Sequence, residues 1–236
     1  MLTVVLTRHG GTTRSKPEQH LGQHLDVPLS DEGRAQAASL GRRLAGVAFD
    51  RVVASPLRRA VETARLIVPG REPETDPRLL EMDYGAWEGL TYEQIAARDG
   101  AARRLWEADP AGLACPGGES GNEVAARVRS FLEAAIDEVG PGDDEVGPGD
   151  DEAGPGADAA PGDPDHRILV VAHSTTDRIL LCVALGVPVR DFRRRFVQDP
   201  ANLTVIRFAG SRGIGGQALV VDDVGHLRGL TGATWD

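Results

Sequence analysis

The chain has 236 residues, 41% of them hydrophobic, with 29 glycines, 15 prolines and two cysteines, which suits one globular domain of ordinary size and excludes a collagen, a fibre or a disulfide scaffold. Net charge is −10, yet eleven of the 36 acidic residues and none of the 26 basic ones fall between positions 137 and 165. The rest is close to neutral and offers neither the basic stripe nucleic acid needs nor a surface that repels anions. No apolar run approaches the ~20 residues of a bilayer span. The start, Met-Leu-Thr-Val-Val-Leu, has neither the basic flank nor the cleavage site of a secretory signal. A soluble protein in the cytoplasm, with Cys115 and Cys182 reduced, is expected.

Residues 2–7 form a β-branched run that reads as a buried strand. Ser30 reads as the N-cap of a helix through Leu44, with Ala35, Ala38, Leu40 and Leu44 near helical spacing. Residues 51–54 predict the next strand, and Ser55-Pro56 an N-cap and first-turn proline opening a helix that ends at Pro69-Gly70. Thr91-Tyr92-Glu93-Gln94 and Ser120-Gly121-Asn122-Glu123 both fit the capping box, so each starts a helix, the second reaching about Asp137.

At 137–143 a seven-residue unit, Asp-Glu-Val-Gly-Pro-Gly-Asp, begins; it recurs at 144–150 and, degraded, at 151–157. It is too short for a solenoid, and with almost nothing apolar to bury, the stretch 138–165 is expected to be a disordered loop interrupting a single domain. Residues 167–172 are the most apolar strand, followed by a helix from about 176 to 185 that Gly186 stops. Residues 203–208 and 218–224 read as edge strands. The alternation of strands and helices points to an α/β fold, in which ligands sit beyond the carboxyl ends of the strands.

Chemistry-bearing residues follow three of those strands: Thr7-Arg8-His9-Gly10-Gly11-Thr12, then Ser55-Pro56-Leu57-Arg58-Arg59-Ala60, then His173-Ser174-Thr175-Thr176. Arginine's planar fork matches phosphate oxygens at any working pH. An imidazole beside it is a nucleophile with a near-neutral pKa, and the phosphohistidine it would form is labile enough to hydrolyse. Taken singly, a histidine at a strand end is usually a solvated or hydrogen-bonded residue and an arginine pair on a helix usually a surface feature. Three such groups at one sheet edge are harder to dismiss.

Arg8-His9-Gly10 with Thr12, Pro28-Leu29-Ser30 with Gly33, Ser55 to Ala60 with Thr63-Ala64, Leu80-Glu81 with Tyr84-Gly85-Ala86-Trp87-Glu88-Gly89, and finally Asn202 and His226-Leu227 stand in an order that resembles the histidine phosphatase superfamily. The branch is that of the cofactor-dependent phosphoglycerate mutases and their phosphatase relatives. The resemblance implies an α/β three-layer sandwich, phosphoglycerate mutase-like, with a mostly parallel central sheet and helices on both faces. It further implies that His9 is phosphorylated, that Arg8, Arg59 and His173 clamp the phosphoryl oxygens, and that Glu81 serves as general acid and then base. Arg58 would face solvent. Ser15, Gln23 and Ser174 are expected to contact substrate. The chain departs from the family pattern at Gly11, where Glu or Gln is common, at Ser15, and at Ser174, where glycine is usual.

The implied partner is a small phosphate ester, with no metal or other cofactor, no nucleic acid and no membrane; a homodimer is left open. The stretch between Gly89 and Glu123, with Gly118-Glu119-Ser120 before a helix, resembles the phosphatase side of the branch. A metal-independent phosphomonoesterase is therefore expected ahead of a phosphoglycerate mutase. Two further readings compete with this one. Two histidines and a carboxylate could ligate zinc, but Arg8 and Arg59 would set positive charge beside the cation. The same fold could also serve as a non-catalytic binding module.

Overall fold

Alternation along the two central strands divides the core into two layers, one on each side of a single sheet. The computed structural model describes residues 1–139, 165–209 and 214–230, so the acidic repeat lies almost wholly outside the described residues. Strands β1 (Leu2–Arg8), β2 (Arg51–Ala54), β3 (Glu74–Thr75), β4 (His166–Ala172), β5 (Leu203–Phe208) and β6 (Gly216–Asp223) form that sheet in the order β3-β2-β4-β1-β5-β6. β1 runs parallel to β4 from Leu2 opposite His166 to Arg8 opposite Ala172. β2 is parallel to β4 and β3, and β5 alone is antiparallel to its neighbours.

Val4, Leu6, Ile168 and Val170 point to one face, packed under helices α4 (Gly121–Asp137) and α5 (Ser174–Leu185). Val5, Leu169 and Val171 point to the other, under α1 (Asp31–Arg43) and α2 (Arg58–Ile67). This period of two, buried on both sides, is what a central strand between helical layers requires. The three-layer α/β sandwich expected from the sequence is therefore present. α3 (Tyr92–Ala108) and the short α6 (Phe192–Arg195) complete the helices of the described residues. Both capping boxes form, at Thr91 and at Ser120, and α4 ends at Asp137. Among the described residues, no helix is long and apolar enough to cross a membrane.

Four details differ from the sequence reading. α1 buries Gly33, Gln36, Ala37 and Leu40 and exposes Ala35, because its first turn packs backbone against the loop after β1. A Cβ on Gly33 would lie 1.9 Å from the Gly11 carbonyl oxygen, and one on Gly10 would lie 2.4 Å from the Gly33 oxygen. α2 starts at Arg58 behind an N-cap, Leu57, that offers no side-chain cap, rather than at Ser55-Pro56. α5 starts at Ser174, two residues earlier than read, with His173 at its N-cap. β5 lies inside the sheet, and the edges are β6 and the two-residue β3, both of whose residues are exposed.

Candidate active site

The carboxyl ends of β1, β4 and β2 are neighbours, so the residues that follow them meet at one place. Arg8 and His9 come from β1, His173 from β4, and Arg59 from the first turn of α2, two residues past the buried Leu57. Arg8, His9, Arg59 and Glu81 line a cleft of about 90 Å³, whose walls also include Ser15, Ser174, Thr175 and Tyr84; His173 is fully buried and is not part of its lining. A larger cavity of about 730 Å³ on the other side of the loop after β1 contains none of the five, though it shares Ser15 and is lined by Gly11.

The two imidazoles are held in opposite tautomers. His9 Nδ1 lies 2.7 Å from the Gly10 carbonyl oxygen, which can only accept, so Nδ1 carries the proton and Nε2 the lone pair. His173 Nδ1 accepts from Arg59 Nε at 3.2 Å, which places its proton on Nε2, a buried atom without a hydrogen-bond partner. The rings approach edge to face with centroids 5.1 Å apart. Burial first, and then the Arg59 charge, push the pKa of each ring well below the usual 6.5. Both are neutral at physiological pH, one offering an electron pair and the other an N–H.

The guanidinium groups are fixed by backbone carbonyls. Arg59 is 0% exposed and donates Nη1 to the Leu25 oxygen at 3.0 Å and Nη2 to the Gly22 oxygen at 2.8 Å. Arg8 donates Nη1 to the Gln198 oxygen at 3.0 Å and Nη2 to Glu18 at 3.2 Å. Its backbone N–H is held by Asn202 Oδ1 at 3.0 Å, inside a buried network of Gln198, Asn202 and Thr204. Thr63 ties the two arms together: it donates to the Arg59 carbonyl at 2.7 Å and accepts from the Gly10 amide at 3.0 Å. Arg58, by contrast, is exposed and pairs with Glu62 one turn away.

Glu81 is 7% exposed and lies on the amino terminus of α5. Its Oε1 accepts from Thr176 N and Thr176 Oγ1, both at 3.2 Å, and from Met82 N at 2.8 Å; Oε2 accepts from Thr175 N at 3.3 Å. A helix amino terminus is a general site for a bound anion. Here two of its amides instead hold a carboxylate of the chain itself, while the Ser174 N–H has no protein partner among the described residues.

Of the three expected substrate contacts, Ser15 and Ser174 line the cleft and Gln23 does not. Ser15 Oγ also caps the turn by accepting from Thr12 N at 2.9 Å. Gln23 Nε2 donates to the Glu81 carbonyl at 2.9 Å and to Glu119 at 3.1 Å, so it supports the Glu81 loop from beneath. Glu119 accepts from Asp83 N and Arg127 as well, which gives the Gly-Glu-Ser motif its place. Arg14, Glu18, His20, Tyr92 and Arg178 also line the cleft; no local pattern in the sequence pointed to them. Gly11 gives its N–H to Gln36 Oε1 at 2.9 Å and lies outside the cleft.

Among the described residues, the cluster with metal-ligand spacing is His24, Asp83 and Glu88, which shares no residue with the cleft. Cys115 and Cys182 are free and buried, their thiols pushed up to about 12 by burial.

The fold and its relatives define a class, the α/β phosphatases. The family model of the histidine phosphatase superfamily (branch 1) matches residues 4–146 and 157–215, and the chain belongs to that superfamily. It is 27% identical to phosphoserine phosphatase 1 of Hydrogenobacter thermophilus, over 91% of this chain and 90% of that one. It is 35% identical to glucosyl-3-phosphoglycerate phosphatase of Mycobacterium tuberculosis, over 80% of this chain and 78% of the relative. A solved mycobacterial glucosyl-3-phosphoglycerate phosphatase in complex with inorganic phosphate superposes with a TM-score of 0.73 at 31% identity, covering 94% of this chain and 98% of that one.

Proposed function

We propose that the chain hydrolyses a small phosphate ester through a phosphohistidine on His9. The observation that carries this reading is the pair of opposite tautomers: a lone pair on Nε2 of His9, which lines the cleft, and a proton on Nε2 of the buried His173, whose ring lies edge to face with that of His9. In the first step His9 Nε2 attacks phosphorus in line, the P–O ester bond breaks, and Glu81, in its acid form, protonates the leaving oxygen. In the second, water attacks the phosphorus, the P–N bond breaks, and the Glu81 carboxylate takes the water's proton, releasing inorganic phosphate. Arg8, Arg59, the His173 Nε2–H and the free Ser174 N–H supply charge and donors to the phosphoryl oxygens as negative charge shifts among them.

The named substrates of the relatives, phosphoserine and glucosyl-3-phosphoglycerate, differ in size and chemistry, so kinship leaves the ester open. A panel of phosphomonoesters assayed with the His9→Ala protein as blank tests the reading. Release of inorganic phosphate only by the unsubstituted protein supports it, and equal release by the His9→Ala protein refutes it. With 3-phosphoglycerate and its bisphosphate cofactor, free phosphate marks hydrolysis and 2-phosphoglycerate marks a mutase.

A further inference from the structure

Phosphoryl oxygens accept hydrogen bonds, and most of the cleft is built to donate them. Arg8, Arg14, Arg59, Arg178 and the Ser174 N–H all stand on its wall as donors, and Arg178 Nε is closed off from solvent without a partner among the described residues. The carboxylates there are already engaged, Glu18 by Arg8 and Glu81 by the start of α5. His20 differs from all of these. Its Nδ1 lies 3.3 Å from the Leu90 carbonyl oxygen, which can only accept, so the proton is on Nδ1 and Nε2 carries the lone pair. Nε2 makes no hydrogen bond with a described residue and, unlike Nε2 of His173, is not closed off from solvent. The residue is only 7% exposed and lines the cleft, so that opening lies on the cleft.

The ring is held in place. Two backbone bonds pin the residue to the neighbouring loop, His20 N to the Leu90 oxygen at 3.0 Å and Gly89 N to the His20 oxygen at 2.7 Å. Tyr84 and Tyr92 pack on the imidazole with centroids 4.6 Å and 4.7 Å away. Burial lowers its pKa to about 4, so the ring is neutral at physiological pH. An uncommitted acceptor in a site that closes around a ligand is costly unless the ligand brings a donor. A phosphoryl dianion brings none, so the donor has to come from the leaving group. Charge narrows its type. Arg103 and Arg193 stack on Tyr92, 4.4 Å and 5.9 Å from its centroid, and their charge reaches the His20 ring. A neutral hydroxyl suits that place better than an ammonium group.

We propose that His20 is a specificity-determining residue, its Nε2 accepting a hydrogen bond from a hydroxyl group on the leaving alcohol. The proposal rests on the phosphatase reading of the same cleft, and it assigns His20 to the leaving group rather than to the phosphoryl oxygens.

The test uses a matched pair, glycerol 3-phosphate and n-propyl phosphate, which share a carbon chain and a primary ester and differ in the free hydroxyl groups. kcat/KM is measured for both esters with the unsubstituted protein, His20→Phe and His20→Gln, and dissociation constants for both are measured with the His9→Ala protein. The unsubstituted protein is expected to prefer glycerol 3-phosphate by about 10- to 100-fold, as an acceptor left unpaired by the wrong ligand implies. The His9→Ala protein should show the same preference in binding. His20→Phe keeps a ring without the acceptor and should bring the ratio to within about threefold. His20→Gln, which retains an acceptor oxygen, should keep part of the preference. Equal treatment of the two esters by the unsubstituted and His9→Ala proteins, which needs no His20 variant to fold, overturns the assignment. So does a His20→Phe protein whose ratio is unchanged, whether or not both rates fall. 3-Aminopropyl phosphate should do no better than the propyl ester, and a preference for it over glycerol 3-phosphate would overturn the choice of a hydroxyl. Preferential binding of glycerol 3-phosphate with no turnover of either ester would instead refute the phosphatase reading while supporting the role of His20.

Discussion

The Glu81 carboxylate and the Thr176 residue of α5 are joined twice, through the Thr176 amide and through its hydroxyl, each 3.2 Å from Glu81 Oε1. Thr176 Oγ1 also donates to the Leu80 carbonyl at 2.7 Å. The carboxyl is thereby fixed at the amino terminus of α5, in the cleft that His9 also lines, where the proposed reaction needs a proton donor for the leaving oxygen. Removing the proton donor while keeping the shape separates this role from packing. Glu81→Gln should lower kcat by about 10²- to 10⁴-fold for alkyl phosphates, whose leaving oxygen must be protonated. p-Nitrophenyl phosphate, whose leaving group departs as an anion, should suffer far less in the phosphorylation step. Single-turnover rates on the two substrate types read this directly, and an equal loss on both would remove Glu81 from the proton transfer.

Adjacent arginines should behave in opposite ways. Arg59 uses all three guanidinium nitrogens on the chain, two on carbonyls and one on His173; Arg58 pairs on the surface with Glu62. Lysine at 59 keeps the charge but not the fork, and it releases the His173 tautomer. Arg59→Lys is therefore expected to cost about 10²- to 10³-fold in kcat/KM. Arg58→Ala should stay within about threefold, since an exposed pair one helical turn apart contributes only about 0.3–0.5 kcal/mol. Steady-state kinetics on both variants check the contrast.

His20 predicts a pH-dependent stability. Its ring is buried between Tyr84 and Tyr92, with centroids 4.6 Å and 4.7 Å away, and burial lowers its pKa to about 4. Below the usual 6.5 the unfolded chain binds a proton that the folded state refuses. Stability is thus lost as pH falls from about 6.5 toward 4, with a slope of up to about 1.4 kcal/mol per pH unit from this group. His20→Phe keeps the ring contacts and removes the titration. Relative to the unsubstituted protein it should gain about 2 kcal/mol between pH 7 and pH 5. Urea midpoints at the two pH values measure it, and parallel pH dependence in both proteins would contradict the assignment.

What could be read from the sequence was what is local. β1, β4 and β5 declare themselves by apolar runs, Thr91 and Ser120 by a partner three positions on, and the groups around His9, Arg59 and His173 by lying just past strands. The seat of Glu81 on Thr175 and Thr176 spans more than ninety positions and leaves no periodic trace. The start of α5 was misplaced for a related reason. Thr176 is a better capping residue than His173, but its hydroxyl is committed to Glu81 and Leu80, and the helix begins before it. Gln23 fell outside the cleft because spacing along a loop says nothing of which way a side chain turns, and here Glu119 claims its amide. Arg178 shares its helix face with Ser174, a spacing of four that could have been noticed from the sequence, but its lack of a partner is visible only in three dimensions.

The central claim is that His9 itself takes the phosphoryl group, and the most direct measurement is rapid-quench labelling with a radioactive phosphate ester, followed by residue mapping. Acid-labile phosphate should accumulate on His9 within a turnover, be absent from the His9→Ala protein, and persist longer in Glu81→Gln, where water activation is impaired. Steady turnover by the unsubstituted protein with no phosphate on that ring at any quench time would contradict the account.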